Sequence, residues 1–244
     1  MAHAYQYHGI ENFPVSATLG NTWQTVTQLA LPLPNGDDEA HSKIKFVGQS
    51  DYSDYSKYFV RHEIVEQRKV RFAQEDRNQV IFIEEFHLYI PPNATYLLAE
   101  TTSRSSGELL KRIRASAHDF SYTVRSVNLF DLRQKLRGHV RGGWFKELDI
   151  ADVSTAAIFG ANVGDSEEWQ RYEGAGTLSA LVLEFRHRGI THSVNISSHG
   201  SITLYSNYSE KDALELVEFI NDIVMKFSEE SSPIKPRKHS KQKE

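Results

Sequence analysis

The fifty residues from Leu178 to Phe227 constrain this chain more than any other stretch, because they specify a run of elements together with their ends. Leu178, Ala180, Leu181, Val182, Leu183 and Phe185 form a nearly continuous apolar run, the pattern of a strand covered on most of both faces. After Gly189, Val194 and Ile196 alternate with Ser193, Asn195 and Ser197, as in a half-buried strand. His199-Gly200 reads as a two-residue hairpin loop, since glycine tolerates positive φ. Ile202 and Leu204 then return on one face. Ser209 stands at a helix N-cap with Asp212 three residues on, a short-armed capping box. Beyond it Ala213, Leu216, Val217, Ile220, Ile223, Val224 and Phe227 keep one apolar stripe at helical spacing.

The rest of the chain is read with this unit as the standard. Trp23 to Leu31 alternates as a strand, and the prolines and Asn-Gly of residues 31–39 read as a loop. Ile44, Phe46 and Val47 suggest a short strand, and Asp51 to Lys57 a loop. Tyr58 to Phe72 alternates for a long way with a phase slip at Ile64-Val65, the sign of a bulge. Gln74 to Gln79 reads as a turn. Val80 to Ile90, a Pro91-Pro92-Asn93 turn, Thr95 to Thr101 and a helix carrying Leu109, Leu110, Ile113 and Ala117 repeat the order hairpin, then helix. Thr123 to Phe130 runs from a strand into a short helix with Leu129, Leu132 and Leu136. Strands are expected at Trp144 to Leu148 and Val153 to Phe159, and the glycine-rich, acidic residues 160–176 read as loop. The expected fold class is α+β, with largely antiparallel sheets, a long C-terminal helix and two pseudo-repeated sheet-and-helix halves, 1–120 and 121–227, packed through their sheets. Residues 228–244, rich in Lys, Ser and Pro, read as a disordered basic tail.

Ala180-Leu-Val-Leu-Glu-Phe185, the hairpin at Ser198-Ser-His-Gly-Ser-Ile202 and the Ser209-Glu-Lys-Asp start of a long helix resemble one repeat of the TATA-box-binding-protein-like fold. The resemblance covers about fifty residues well and the remainder loosely. It implies a scaffold found in proteins that bind DNA, RNA–DNA hybrids or other proteins. The DNA-intercalating phenylalanine pairs of that family have no match in this sequence, and fold alone does not imply function.

The 244 residues carry a formal charge of −4 and no cysteine, which excludes disulfides and thiolate metal sites and fits a reducing cytosol. No apolar window is long enough to span a membrane. The N-terminal Met-Ala-His-Ala-Tyr-Gln-Tyr-His has no basic and no apolar leader region, so a cytoplasmic location is expected. The charge is uneven. Between Arg104 and Arg141 nine basic residues face only Glu108, Asp119 and Asp131, while Gly142 to Glu184 sets Lys146 and Arg171 against eight acids. The first block reads as a phosphate-tracking surface through Arg112, Arg114, Arg125, Arg133, Lys135, Arg137 and Arg141, as a solvated surface, or as a basic face paired with the acidic segment after it. Tyr52, Tyr55, Tyr58 and Phe59, and Trp144-Phe145, are aromatic groups able to stack on bases or to fill a core.

The sequence has no phosphate loop, no G-x-S-x-G, no H-E-x-x-H and no dinucleotide fingerprint. Glu84, Glu85 and His87 are the weak catalytic candidates. On a strand Glu85 and His87 share a face, where carboxylates and a histidine can hold Mg²⁺ or Mn²⁺ or simply form a polar surface. His187, His192 and His199 flank turns with no third ligand to name, and His118-Asp119 reads as a helix-end cap. No metal and no cofactor is assigned. The leading reading is a non-enzymatic module that binds nucleic acid or a nucleoprotein partner, an accessory subunit of a microbial defence or mobile-element system. A protein-interaction or inhibitor module, using the acidic 147–173 segment or a sheet edge, is the second reading. A metal-dependent nuclease or hydrolase is the third.

Overall fold

Long alternating runs dominate this chain, and alternation favours sheet over helix because successive side chains point to opposite faces. The computed structural model describes residues 3–14, 22–33, 36–72, 74–117 and 119–228. In order these form strands β1 (His3–Glu11), β2 (Thr22–Leu33), β3 (Gly36–Gln49), β4 (Ser56–Phe72), β5 (Glu75–Ile90) and β6 (Tyr96–Ala99), then helix α1 (Ser103–Ser116). Strand β7 (Ser121–Val124), helix α2 (Leu129–Leu136), β8 (His139–Ile150), β9 (Val153–Phe159), a short 3-10 turn (Val163–Asp165) and helix α3 (Glu167–Ala175) follow. β10 (Thr177–His187), β11 (Ile190–Ser197), β12 (Ser201–Leu204) and helix α4 (Glu210–Ser228) complete the mixed α+β structure.

All the strands belong to one antiparallel sheet in the order β2-β3-β4-β5-β6-β1-β12-β11-β10-β8-β9, with β7 also pairing β1. The two halves are therefore joined edge to edge through β1, and are not packed sheet against sheet. β1 pairs with β6 through Gln6 to Gly9 and with β12 through His3 to Gln6. Its alternation divides the core. Tyr5 and Tyr7 point to one face, into a cluster with Val194, Ile202, Leu204 and Ala213, Leu216, Val217 and Ile220 of α4. The other face carries Leu88, Leu97 and Ala99, under Leu109, Leu110 and Ile113 of α1. The β5-β6-α1 unit and the β11-β12-α4 unit thus flank β1 with their helices on opposite faces.

Four local readings are corrected. Residues 31–39 are no extended loop: β2 and β3 run to Leu33 and from Gly36, paired from Ala30 with Glu39 to Leu33 with Gly36 beyond a register shift after Val26. The irregularity of β4 lies between Gln67 and Val70, where the register to β5 shifts, and not at Ile64-Val65. Residues 74–79 are strand from Glu75, with the turn confined to Gln74 at φ 69°. Most consequentially, the acidic 160–176 segment holds α3. Ser166 caps it by accepting from the Trp169 amide, Glu167 and Glu168 occupy its first turn, and Trp169 is wholly buried. Those are ordinary helix-start signals, outweighed in the sequence by four flanking and internal glycines (Gly160, Gly164, Gly174 and Gly176). The expected N-cap at Ser209 is present, with the Asp212 amide donating to its Oγ, and Gly200 turns the last hairpin at φ 78°. The basic tail and His118 lie outside the described residues.

Candidate functional site: the groove between α2 and α3

The cations of the 104–141 segment are distributed over both faces of the sheet. α1 carries Arg112 and Arg114 on one face; α2 packs its Leu129, Leu132 and Leu136 into the cluster on the other. Several guanidinium groups are engaged within the protein. Arg112 donates to Ser42 Oγ at 2.9 Å, beside the buried His62. Arg125 lies 4.4 Å from the Tyr7 ring centroid and donates to Asn221 Oδ1 at 3.3 Å. Arg141 forks onto Glu184 at 3.1 and 2.9 Å, which holds the Glu184 carboxyl below its usual range, and it also reaches the Ala161 carbonyl. Arg114, Lys135 and Arg137 are exposed.

Arg133 and Arg137 are brought together in one place. Phe130, Arg133 and Gln134 fall at i, i+3 and i+4 on the flank of α2 beside its buried leucines, and Arg137 follows as the C-cap residue. That flank, with Gly138 and Glu173 of α3, lines an open groove of about 420 Å³. Its geometry is set from both ends. Asn128 caps α2 by accepting from the amides of Phe130 and Asp131, and Arg137 ends it in the left-handed conformation at φ 47°. Arg133 is fixed by donating to the Gly164 carbonyl at 3.1 Å and to Asp165 at 3.2 Å, 5.7 Å from the Trp169 ring centroid. A Cβ on Gly164 would come within 2.7 Å of that guanidinium, so glycine leaves the room Arg133 occupies. The groove therefore offers an anchored guanidinium, an exposed one, a half-buried aromatic ring, a carboxamide and a carboxylate.

The other sequence candidates do not converge. Glu84 and Glu85 point to opposite faces of β5. Glu84 accepts from Thr101 Oγ1 at 3.2 Å, Glu85 lies 4.0 Å from Arg61, and His87 turns to Glu100 at 3.3 Å. Among the described residues no group of three His, Asp or Glu side chains is placed to hold a metal ion. His192 Nδ1 is 2.9 Å from the Tyr208 hydroxyl, and His187 stacks on Phe219. Of the aromatic groups, Tyr55, Tyr58 and Phe145 are core residues. Phe59 stays half-exposed on the open sheet face, in a cross-strand row with Lys45 and His87.

A larger polar cluster was not legible in the sequence. Glu218 of α4 accepts from the hydroxyls of Tyr52 and Tyr55, and Tyr55 bonds Tyr96. Glu210 meets Lys57 and Tyr89. Although burial pushes it up, hydrogen bonds from His87 and His3 hold the Glu100 carboxyl below its usual range. Burial pushes the Tyr55 and Tyr89 hydroxyls up, so they remain neutral donors. This cluster fastens α4 to the N-terminal strands. Glu210 and Glu218 lie more than a hundred residues from the lysine and tyrosines they meet, so no local pattern points to it. Comparison with protein-family models and with curated proteins finds no match for this chain.

Proposed function

We propose that this chain is a nucleic-acid-associated module whose contact is the groove between α2 and α3. The observation that carries the reading is the flank of α2 and its C-cap, which present Phe130, Arg133, Gln134 and Arg137 to a groove of about 420 Å³, in the size range of small-ligand sites. In this reading Arg137, with Arg133 behind it, meets backbone phosphate. Phe130 offers a ring for a base, and Gln134 and Glu173 meet base-edge or sugar donors and acceptors. Arg112, Arg125 and Arg141 hold the scaffold; Arg114 and Lys135 add to the field. The likeness of residues 178–227 to the TATA-box-binding-protein-like fold supports the same direction. So does the flanking of β1 by two hairpin–helix units with their helices on opposite faces, set three residues apart along β1; we read it as an internal duplication.

Fluorescence anisotropy with labelled single-stranded DNA and RNA tests the proposal. Binding is expected to weaken with salt. Arg137→Ala is expected to lower the salt slope by about 0.7 and to weaken binding several-fold, with Gln134→Ala weakening it independently of salt. No salt-dependent binding to either strand, or binding indifferent to both substitutions, sinks the reading.

A further inference from the structure

We propose that β9 is a self-pairing edge, and that two copies of this chain join there into one continuous sheet about a two-fold axis through Ala156. β9 ends the sheet: it pairs with β8 on one side, and no strand among the described residues pairs with it on the other. An unpaired edge presents backbone N–H and C=O groups in a row, so what completes it is another extended strand. Natural edges are usually blunted by charge, proline or a bulge. Val153-Ser-Thr-Ala-Ala-Ile-Phe159 has neither charge nor proline; its pairing with β8 is unbroken from Phe159 to Thr155, and the register shift before Val153 puts its extra residues on β8, between Lys146 and Ile150, and not on the edge strand.

A second copy of β9 fits this edge in both register and charge. Antiparallel pairing of β9 with itself, centred on Ala156, sets Val153 opposite Phe159, Ser154 opposite Ile158 and Thr155 opposite Ala157. No charged side chain meets another within the paired residues. The flanking Asp152 falls opposite Gly160, and Asp149 falls beyond it, so the acids near one end never face each other. Residues directly opposite share a face, so Val153, 38% exposed, and Phe159, 56% exposed, of the two copies cover one another. Phe159 is already set for this. It packs edge-on to Trp144 at 4.8 Å between centroids, lying over Gly142, where any Cβ would collide with its ring. The inference does not depend on the groove reading, because β9 contributes nothing to that groove.

A chain without cysteine makes the register directly testable. Ala156 faces its own copy across the axis, at a Cα separation of about 4.5–5.5 Å, within the span of a disulfide. Ala156→Cys is therefore expected to give a covalent dimer on mild oxidation, seen on a non-reducing gel. Sedimentation of the unmodified chain over roughly 1–100 μM is expected to show a monomer–dimer equilibrium. Ala157→Lys and Thr155→Lys, both at exposed positions, are expected to shift it to monomer with an unchanged far-UV spectrum. A chain monomeric throughout that range overturns the proposal, as does a dimer that survives both lysine variants. A dimer that Ala156→Cys fails to link overturns the register and with it the two-fold pairing. Open polymers, the result of β9 joining some other edge, overturn it as well.

Discussion

His8 and His62 are the residues whose chemistry their surroundings change most. Both are buried within the sheet and under α1. Burial lowers the pKa of each to about 4, helped at His62 by the Arg112 guanidinium. His8 Nε2 meets Ser106 Oγ at 2.9 Å, and His62 Nδ1 meets Ser42 Oγ at 2.7 Å. The remaining nitrogen of each ring is buried with no hydrogen-bond partner, so neither ring is solvated for a charge. A histidine whose folded pKa lies below its unfolded value contributes stability that is fully present above the unfolded value, near 6.5. That stability is lost as pH falls toward 4. Each is expected to cost roughly 2 kcal/mol on going from pH 8 to pH 5. Glu100, a depressed carboxyl, adds its own loss only at lower pH, below the ordinary carboxylate value near 4.5. Denaturant midpoints measured from pH 8 to pH 4 check this: His62→Gln is expected to flatten the curve, and an unchanged slope would count against a neutral, buried His62.

At the scale of elements, two docking devices dominate. α3 is held by Trp169, wholly buried, whose ring packs edge-on to Phe145 at 4.9 Å and leaves no room for a Cβ on Gly143. Trp169→Ala is expected to cost about 3–5 kcal/mol and Ser166→Ala about 1 kcal/mol in equilibrium unfolding. A Trp169→Ala cost under about 1 kcal/mol would remove α3 from the core. α4 is held differently on its two sides: leucine, valine and isoleucine on its own half of the sheet, and Glu210 and Glu218 on the tyrosines of the other half. Glu218→Ala leaves two tyrosine hydroxyls without their acceptor. It is expected to cost about 1–3 kcal/mol, more than Glu218→Gln, which keeps an acceptor oxygen. Equal effects of the two variants would show that the hydroxyl contacts contribute little.

For the whole molecule the decisive strand is β1. It lies between the two hairpin–helix units, sends Tyr5 and Tyr7 to one core and Ile10 to the other, and pairs with β6, β7 and β12. A single cooperative unfolding transition is therefore expected, with circular dichroism and tyrosine fluorescence coincident. A fragment of residues 121–228 expressed alone is expected not to fold, because β12 loses its neighbour and the cluster under α4 loses Tyr5, Tyr7, Tyr55 and Tyr89. Two separated transitions, or a folded fragment, would mean that the halves are independent.

Local pattern was enough to read the strands of the C-terminal unit, both hairpin–helix units, the N-cap of α4 and the mixed α+β character, because alternation, helical spacing and capping are near-neighbour physics. The α2 flank at Phe130, Arg133, Gln134 and Arg137 was half legible: the arginines stood out by charge, but their partner wall depended on a helix hidden among glycines. Only the tertiary structure decided that one sheet holds both halves, that α1 and α4 lie on opposite faces, and that most of the basic segment is spent inside the protein. Those outcomes rest on pairings between residues up to two hundred positions apart, such as Gln6 with Ser201. The stretch from Leu178 to Phe227 carries its own strand–hairpin–helix order; which strand would complete its sheet was written at the other end of the chain.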